Sequence, residues 1–484
     1  MRRTAKDLLL LTSGFMFFVI VCIAAFQMLK VQLILFVPMA LAMLLIGIIP
    51  PRLSVGVALG YMVFDGMLKI LSGYNTVIHL GSDILVLTLA VRCLIEFAIA
   101  PADRRWVFPP FTAIFLVHLG WVTVQVLNPF GVSFLAGLAA YKVYMTFILL
   151  YFIAYLYLRS VEDLRALLWV AVIITALQVA LSIYQFEHGE AGLLAFSRNY
   201  ARPMEARFVG RLFRPFGTTA VPGGASTWVF LSLPLIIALF FDSKHVLKRL
   251  FLVILLGLAA YTLFICQVRS AVLKGLLGMM LVALVMFWRR PERLMGALGI
   301  VAALIYVTTF FLEIEDPRLM MAQGRLLSLT DIEIIQASRG THQNSFLYLW
   351  NNAPFGIGLS RVGAAGAYFK SEIARDQFFG PNWSWTDNLY LTLAVELGFP
   401  GMIFFLCLTM GPFFVLAYRA VVAETDRSGT RLLIAGAVGL LGASIMGHLG
   451  SEGSLYLPES AYFWLFMGAA VRFSERLTPR QPEI

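Results

Sequence analysis

Charge is what this chain has least of. Asp, Glu, Lys and Arg together make up 13% of its 484 residues, against 60% apolar; a soluble domain runs at about 25% charged and about 45–50% apolar. That shortage excludes an ordinary soluble fold and leaves a polytopic membrane protein organised as one helical bundle. Histidine stops at six and cysteine at four. Cys22, Cys93, Cys266 and Cys407 stand in apolar runs without C-x-x-C spacing, so neither a disulfide framework nor a zinc site is expected, and all four read as packing residues. H-E-x-x-H, G-x-S-x-G and P-loop patterns are missing, which leaves a dedicated metal centre or a protein nucleophile without support. The charge that exists is lopsided, +10 net. In a membrane protein that excess belongs to cytoplasmic loops and anionic headgroups, so nucleic acid is not an expected partner.

Long apolar runs are what the chain does have. A spanning helix needs about 17–25 mostly apolar residues. Fourteen candidates lie near 8–26, 31–49, 54–71, 77–99, 107–127, 137–158, 165–186, 224–241, 249–266, 271–288, 294–312, 388–418, 431–447 and 459–472. The third carries Asp65 and Lys69 and is the weakest of them. The N-terminus resembles a signal sequence, but its apolar run is long enough to span, so it reads as a retained first helix. Basic residues fall in alternate connections, among them Arg104 and Arg105, Lys244 to Arg249, Arg289 to Arg293, and Arg419 to Arg431. With fourteen helices that alternation runs without a slip and puts both termini in the cytoplasm. The expected division is 1–312 with eleven helices and an outer loop at 187–223, a large outer loop at 313–387, and three helices in 388–484.

Several arginines break the trend by falling on the opposite side. The 187–223 loop holds Arg198, Arg202, Arg207, Arg211 and Arg214; the tight turn at 267–270 holds Arg269; the long loop holds Arg318, Arg325, Arg339, Arg361 and Arg375. Arg211 and Arg214 lie in Gly210-Arg211-Leu212-Phe213-Arg214-Pro215-Phe216-Gly217-Thr218-Thr219, ahead of Pro222-Gly223-Gly224 and a helix. Arginine forks suit phosphate, and a glycine-rich approach to a helix N-terminus exposes N–H groups to anions; the alternative is a surface loop meeting lipid headgroups. Arg269 either faces a polar cavity at membrane depth or snorkels to the interface.

The long loop contains Ser338-Arg339-Gly340-Thr341-His342, then a run in which Phe346, Leu349 and Trp350 share a helical face, then a glycine turn at Gly356 and Gly358. That face predicts a helix lying against the bundle or the membrane surface. Asp387 precedes the next apolar helix and is either its N-cap or a general base. Glu396 falls half a turn away from Asp387 on a helix, so no paired-carboxylate site is expected. Asn388, His342, His448 and Glu452 are candidates for lining the same cavity. Asp65 with Lys69, and Arg92 with Glu96, stand at i,i+4 and are expected to satisfy each other; His79 and His118 read as hydrogen-bonded packing residues.

Taken together, Arg214-Pro215-Phe216-Gly217-Thr218, Val268-Arg269-Ser270-Ala271, Pro354-Phe355-Gly356-Ile357-Gly358, Asp387-Asn388-Leu389-Tyr390-Leu391 and Glu396-Leu397-Gly398-Phe399-Pro400-Gly401 resemble the O-antigen ligase and polymerase superfamily over roughly 205–405. The resemblance implies a GT-C-like fold in a bacterial inner membrane, moving glycan from undecaprenyl diphosphate to an acceptor hydroxyl at the periplasmic face, with neither metal nor other cofactor. It implies that Arg214, Arg269 and Arg339 occupy the places of diphosphate-binding or catalytic arginines, with Arg211 beside them. Ligases of the family carry His-Asn where this chain has Asp387-Asn388, which favours a polymerase over a ligase. The expected partners are the lipid-linked donor, a glycan acceptor, membrane lipid, and chain-length regulator and export proteins. Two rivals are a transporter or flippase of the same lipid-linked glycan and a non-catalytic assembly subunit. Against the transporter stand the missing inverted repeat and the gathering of charge at one face rather than along a path.

Overall fold

A long apolar run away from water satisfies its backbone by coiling on itself, and here nearly every such run does. The computed structural model describes residues 2–99, 108–201, 208–209, 212–221, 223–296, 299, 317–327, 341–363, 366, 388–423 and 429–477. The first helices are α1 (Arg2–Leu29), α2 (Val37–Ile48), α3 (Pro51–Met62), α4 (Asp65–Leu71), α5 (Thr76–His79) and α6 (Gly81–Ile99). Next come α7 (Thr112–Val126), α8 (Phe134–Met145), α9 (Leu149–Tyr157) and α10 (Val161–Phe196), then a two-strand hairpin of β1 (Phe208–Val209) and β2 (Leu212–Phe213). The second half holds α11 (Ala225–Asp242), α12 (Val246–Cys266), α13 (Arg269–Phe287), α14 (Pro317–Leu327), α15 (Thr341–Asn352), α16 (Leu389–Val422), α17 (Thr430–Gly447) and α18 (Glu459–Ser474).

Among the described residues, eight helices are long and apolar enough to cross a membrane, or nine if α3 and α4, bent by 46°, form one broken span. The expected fourteen are therefore not reproduced as fourteen full spans. The 31–49 and 107–127 candidates are shorter apolar helices, 54–71 is broken, 77–99 is α6 with Asp83, Arg92 and Glu96 inside it, 459–472 is the 16-residue α18, and 294–312 falls almost wholly outside the described residues. The seventh candidate overruns its expected end: α10 continues to Phe196 through a kink at Gly189, so the expected loop at 187–223 opens as helix. At its other end α10 is fixed by a capping box, with Ser160 Oγ accepting from Asp163 N and the Asp163 carboxylate accepting from Ser160 N.

The core is the trio α11, α13 and α17, with α18 packed on α9 and α1 on α3 and α10. Small residues let the trio close up: a Cβ on Gly278 of α13 would lie 2.7 Å from Pro234 of α11 and 3.0 Å from the Gly439 carbonyl of α17. The expected local ion pairs form, Lys69 Nζ to Asp65 at 2.6 Å and Arg92 Nε to Glu96 at 3.0 Å. Two expectations need correcting. His118 is buried beside Phe405 with neither ring nitrogen hydrogen-bonded, and His79 is exposed. Three of the four cysteines are buried and Cys407 is exposed.

Candidate substrate site at the arginine end of the bundle

The segment carrying Arg214 is buried, and buried backbone has to find hydrogen bonds. Two glutamines seven residues apart on α10 supply them. Gln185 Oε1 accepts from Phe216 N and Gly217 N at 3.0 and 2.9 Å, and its Nε2 donates to Gly217 O at 2.8 Å. Gln178 accepts from Thr218 N at 3.0 Å and donates to Thr218 Oγ1 at 2.7 Å; that hydroxyl in turn donates to Val63 O. The Arg-Pro-Phe-Gly-Thr motif is thus a strap bolted to α10. Gln185→Ala strands two N–H groups and a carbonyl, an expected cost of about 3–5 kcal/mol, to be read as a lower thermal midpoint of the purified protein.

The strap delivers Arg214 to the end of α12, where Nε donates to the Cys266 carbonyl at 3.3 Å. That carbonyl belongs to the orphan set at the negative end of a helix. A left-handed Gln267 then turns the chain so that Arg269 is the first residue of α13, as the short 267–270 connection predicts. Gly223 closes over this corner, where a Cβ would sit 2.5 Å from Val268 and 2.7 Å from the Arg214 guanidinium. A third arginine arrives from α14, which packs against α12 and β2. At its first turn Arg318 meets Glu187 at 3.7 Å and lies over the Phe186 ring at 4.9 Å, tying α14 to the kinked end of α10. At its last turn Arg325 joins the other two.

These three cations sense one another. Burial lowers the Arg214 guanidinium pKa, and the Arg325 charge lowers it further. Burial likewise lowers Arg325, and the Arg269 charge adds to it. Like charge is thus gathered at one corner, a field that favours an anion. The sequence singled out Arg214 and Arg269; Arg325 was only one of several loop arginines there. Its signal was the amphipathic stretch 317–327, but nothing in the sequence says where that helix docks.

The start of α16 lies at the same end. Asn388 is its N-cap, with Oδ1 accepting from Leu391 N at 3.1 Å. The capping role weighed for Asp387 therefore belongs to Asn388, which is buried. Leu389 N donates to His448 O at 2.8 Å, and Thr392 Oγ1 donates to Glu452 Oε1 at 2.6 Å. His448 and Glu452 do flank this point, but as buried groups. The His448 ring packs among Tyr390, Phe405 and Phe463 with Nε2 on Ser454 Oγ, and burial, with Lys274 nearby, holds its pKa well below the ordinary imidazole range. Arg211, Arg339, Asp387 and the His342 side chain lie outside the described residues.

Glu396 plays a part that helical spacing from Asp387 does not reveal. It is fully buried, accepting from Tyr144 Oη at 2.6 Å and Val362 N at 2.9 Å. It fastens the returning segment 353–363, and the chain beside it is fastened again one turn on. There α16 breaks at Gly398 (φ 71°, ψ 177°), so Phe399 N donates to Pro354 O at 2.9 Å, and Val395 O accepts from Ile357 N at 2.8 Å. Trp121 Nε1 takes the Leu397 carbonyl at 2.7 Å, and Gln125 Nε2 takes the Phe355 carbonyl at 2.8 Å. The expected face of α15 docks here: Leu349 is buried against α16, and the Phe346 and Trp350 rings lie 6.4 and 5.0 Å from Phe399. Among the described residues no three His, Cys, Asp or Glu side chains converge as a metal-ligand set.

The arrangement gathers the positive charge of Arg214, Arg269 and Arg325 at one corner of the bundle. Residues 252–406 match the family model described as O-antigen ligase. The match runs from α12 through Arg269, α14 and α15 to the broken part of α16, while Arg214 and its strap lie before it. No curated protein matches the chain.

Proposed function

We propose that this chain, whose residues 252–406 match the O-antigen ligase family model, is a membrane glycosyltransferase acting on a lipid-linked glycan diphosphate. The observation that carries this reading is the convergence of Arg214, Arg269 and Arg325. Three mutually repelling cations at the edge of an apolar bundle are matched by a diphosphate with a lipid tail. The donor is undecaprenyl-diphosphate-linked glycan in a bacterial inner membrane, the reaction face is periplasmic, and both termini are cytoplasmic.

In the reaction the anomeric carbon leaves its phosphate oxygen as the acceptor hydroxyl oxygen bonds to it from the opposite side, inverting the centre. The arginines take up the negative charge growing on the departing diphosphate, which lowers the transition state more than the ground state. Arg339 acts with them and Asp387 takes the acceptor proton. Asp in the place where ligases of the family carry His favours a polymerase, whose acceptor is a sugar of a second lipid-linked repeat.

Vesicles holding the purified protein and lipid-linked repeat units decide between readings. A ladder of longer glycans is expected; single transfer to a lipid core acceptor makes it a ligase, and unchanged units carried across the bilayer make it a transporter. Because Asn388 holds the helix cap, Asp387→Asn is a clean probe of chemistry. An initial-rate loss of about 10²–10⁴-fold is expected for a missing general base, whereas full activity removes Asp387 from that role.

A further inference from the structure

One buried ion pair is not explained by anion binding. Lys274, five residues past Arg269 on α13, sends Nζ to Glu459 Oε2 at 3.2 Å and to Ser451 Oγ at 2.7 Å, and lies 4.8 Å from the Phe230 ring centre. The two side chains are 5% and 3% exposed. Such a pair is a poor source of stability, since well-packed apolar replacements often serve as well. Ionisable groups at membrane depth therefore raise the question of what they organise.

Two glycines answer it. A Cβ on Gly447 would overlap the end of the Lys274 side chain, and one on Gly453 would overlap the Glu459 carboxylate. The turn from 447 to 453 is folded directly over the pair, leaving room there for hydrogen only. That same turn makes both contacts that hold the first turn of α16, His448 O to Leu389 N and Glu452 to Thr392. A line of direct contacts thus runs from the helix that begins with Arg269, through the ion pair, to the start of α16.

We propose that Lys274 and Glu459 form a positioning pair, which registers the start of α16 at Asn388 against the helix carrying Arg269. The proposal rests on the transferase reading and adds to it the device that fixes the spacing between donor-side and acceptor-side groups. Apolar packing tolerates sliding, whereas an ion pair with a third ligand in Ser451 has one geometry.

The double variant Lys274→Met/Glu459→Gln removes both charges at similar volume. In vesicles, amides of 389–392 and 448–455 are expected to exchange with deuterium about tenfold faster or more, while α11 keeps its protection. Turnover is expected to fall by about tenfold or more through displacement of the reacting groups, with donor KM held within about threefold. Lys274→Arg is expected to retain more turnover than Lys274→Met at equal thermal stability. Should the double variant fail to fold, Ser451→Ala, which removes the third contact of Lys274 and keeps both charges paired, carries the same expectations in milder form. Unchanged exchange, unchanged kcat, or a raised donor KM without loss of kcat overturns the proposal. If the wild-type protein transfers no glycan, the transferase reading falls instead, and the exchange rates still decide whether the pair registers the helix.

Discussion

Arg269→Ala is expected to lower the rate of glycan transfer by about 10²–10³-fold, the range seen when one preorganised stabiliser of developing negative charge is removed. The reason is placement. Arg269 begins α13 at a turn too short to let it wander, and it shares its corner with Arg214 and Arg325. Arg269→Lys keeps the charge and loses the fork, so an intermediate rate is expected. Arg325→Ala is expected to cost about tenfold or more in rate, and the thermal midpoint of the same preparation shows how much of that loss belongs to the fold. Falling rate with steady or rising stability is the signature of a group kept for binding and chemistry. Initial rates and melting of the same purified preparations provide both numbers. A variant set that transfers at the wild-type rate would leave the arginines to lipid headgroups and favour the non-catalytic subunit.

Gly398→Ala is expected to destabilise the protein by about 3 kcal/mol or more, enough to remove much of its folded yield. Its backbone, φ 71° and ψ 177°, lies in a region essentially restricted to glycine, and such strain costs about 1–3 kcal/mol. A Cβ there would also overlap the Phe355 carbonyl carbon and stand 2.5 Å from Gly356 N. Gly356→Ala, with φ 85° and a Cβ 2.5 Å from Gly398 N, is expected to do nearly the same. The two losses should not add, since either opens the same joint. Gly257→Ala, with nothing within 4 Å of the new methyl, is the neutral control. Melting temperature and the monodisperse fraction in detergent check the series; a Gly398→Ala protein as stable as wild type would show that the joint does not hold the bundle.

The helices were readable because hydropathy alone decides them, but their lengths were not. Nothing in the run 54–71 announces a 46° bend, and only the capping chemistry at Asn388 separates its role from that of Asp387. Arg214 and Arg269 stood out because arginine on the outer side breaks a charge rule. Arg325 breaks the same rule, but so do several other arginines of the long loop, and its relevance depends on where an amphipathic helix comes to rest. Glu396 was judged by its helical phase relative to Asp387, when its partners are Tyr144, some 250 positions earlier, and a segment returning from the long loop. Contacts across such separations leave no local periodicity.

The joint at Gly398 also limits how the protein can be recombined. Pro354–Gly358 is held by the backbone of α16 and by Gln125 of α7, while Trp121 of α7 holds the Leu397 carbonyl on the α16 side of the same joint. These two turns of the chain are therefore not portable with segment 313–387. A chimera that imports a relative's outer segment to alter acceptor choice has to keep 353–363 native, or else import α7 and the first half of α16 as a set.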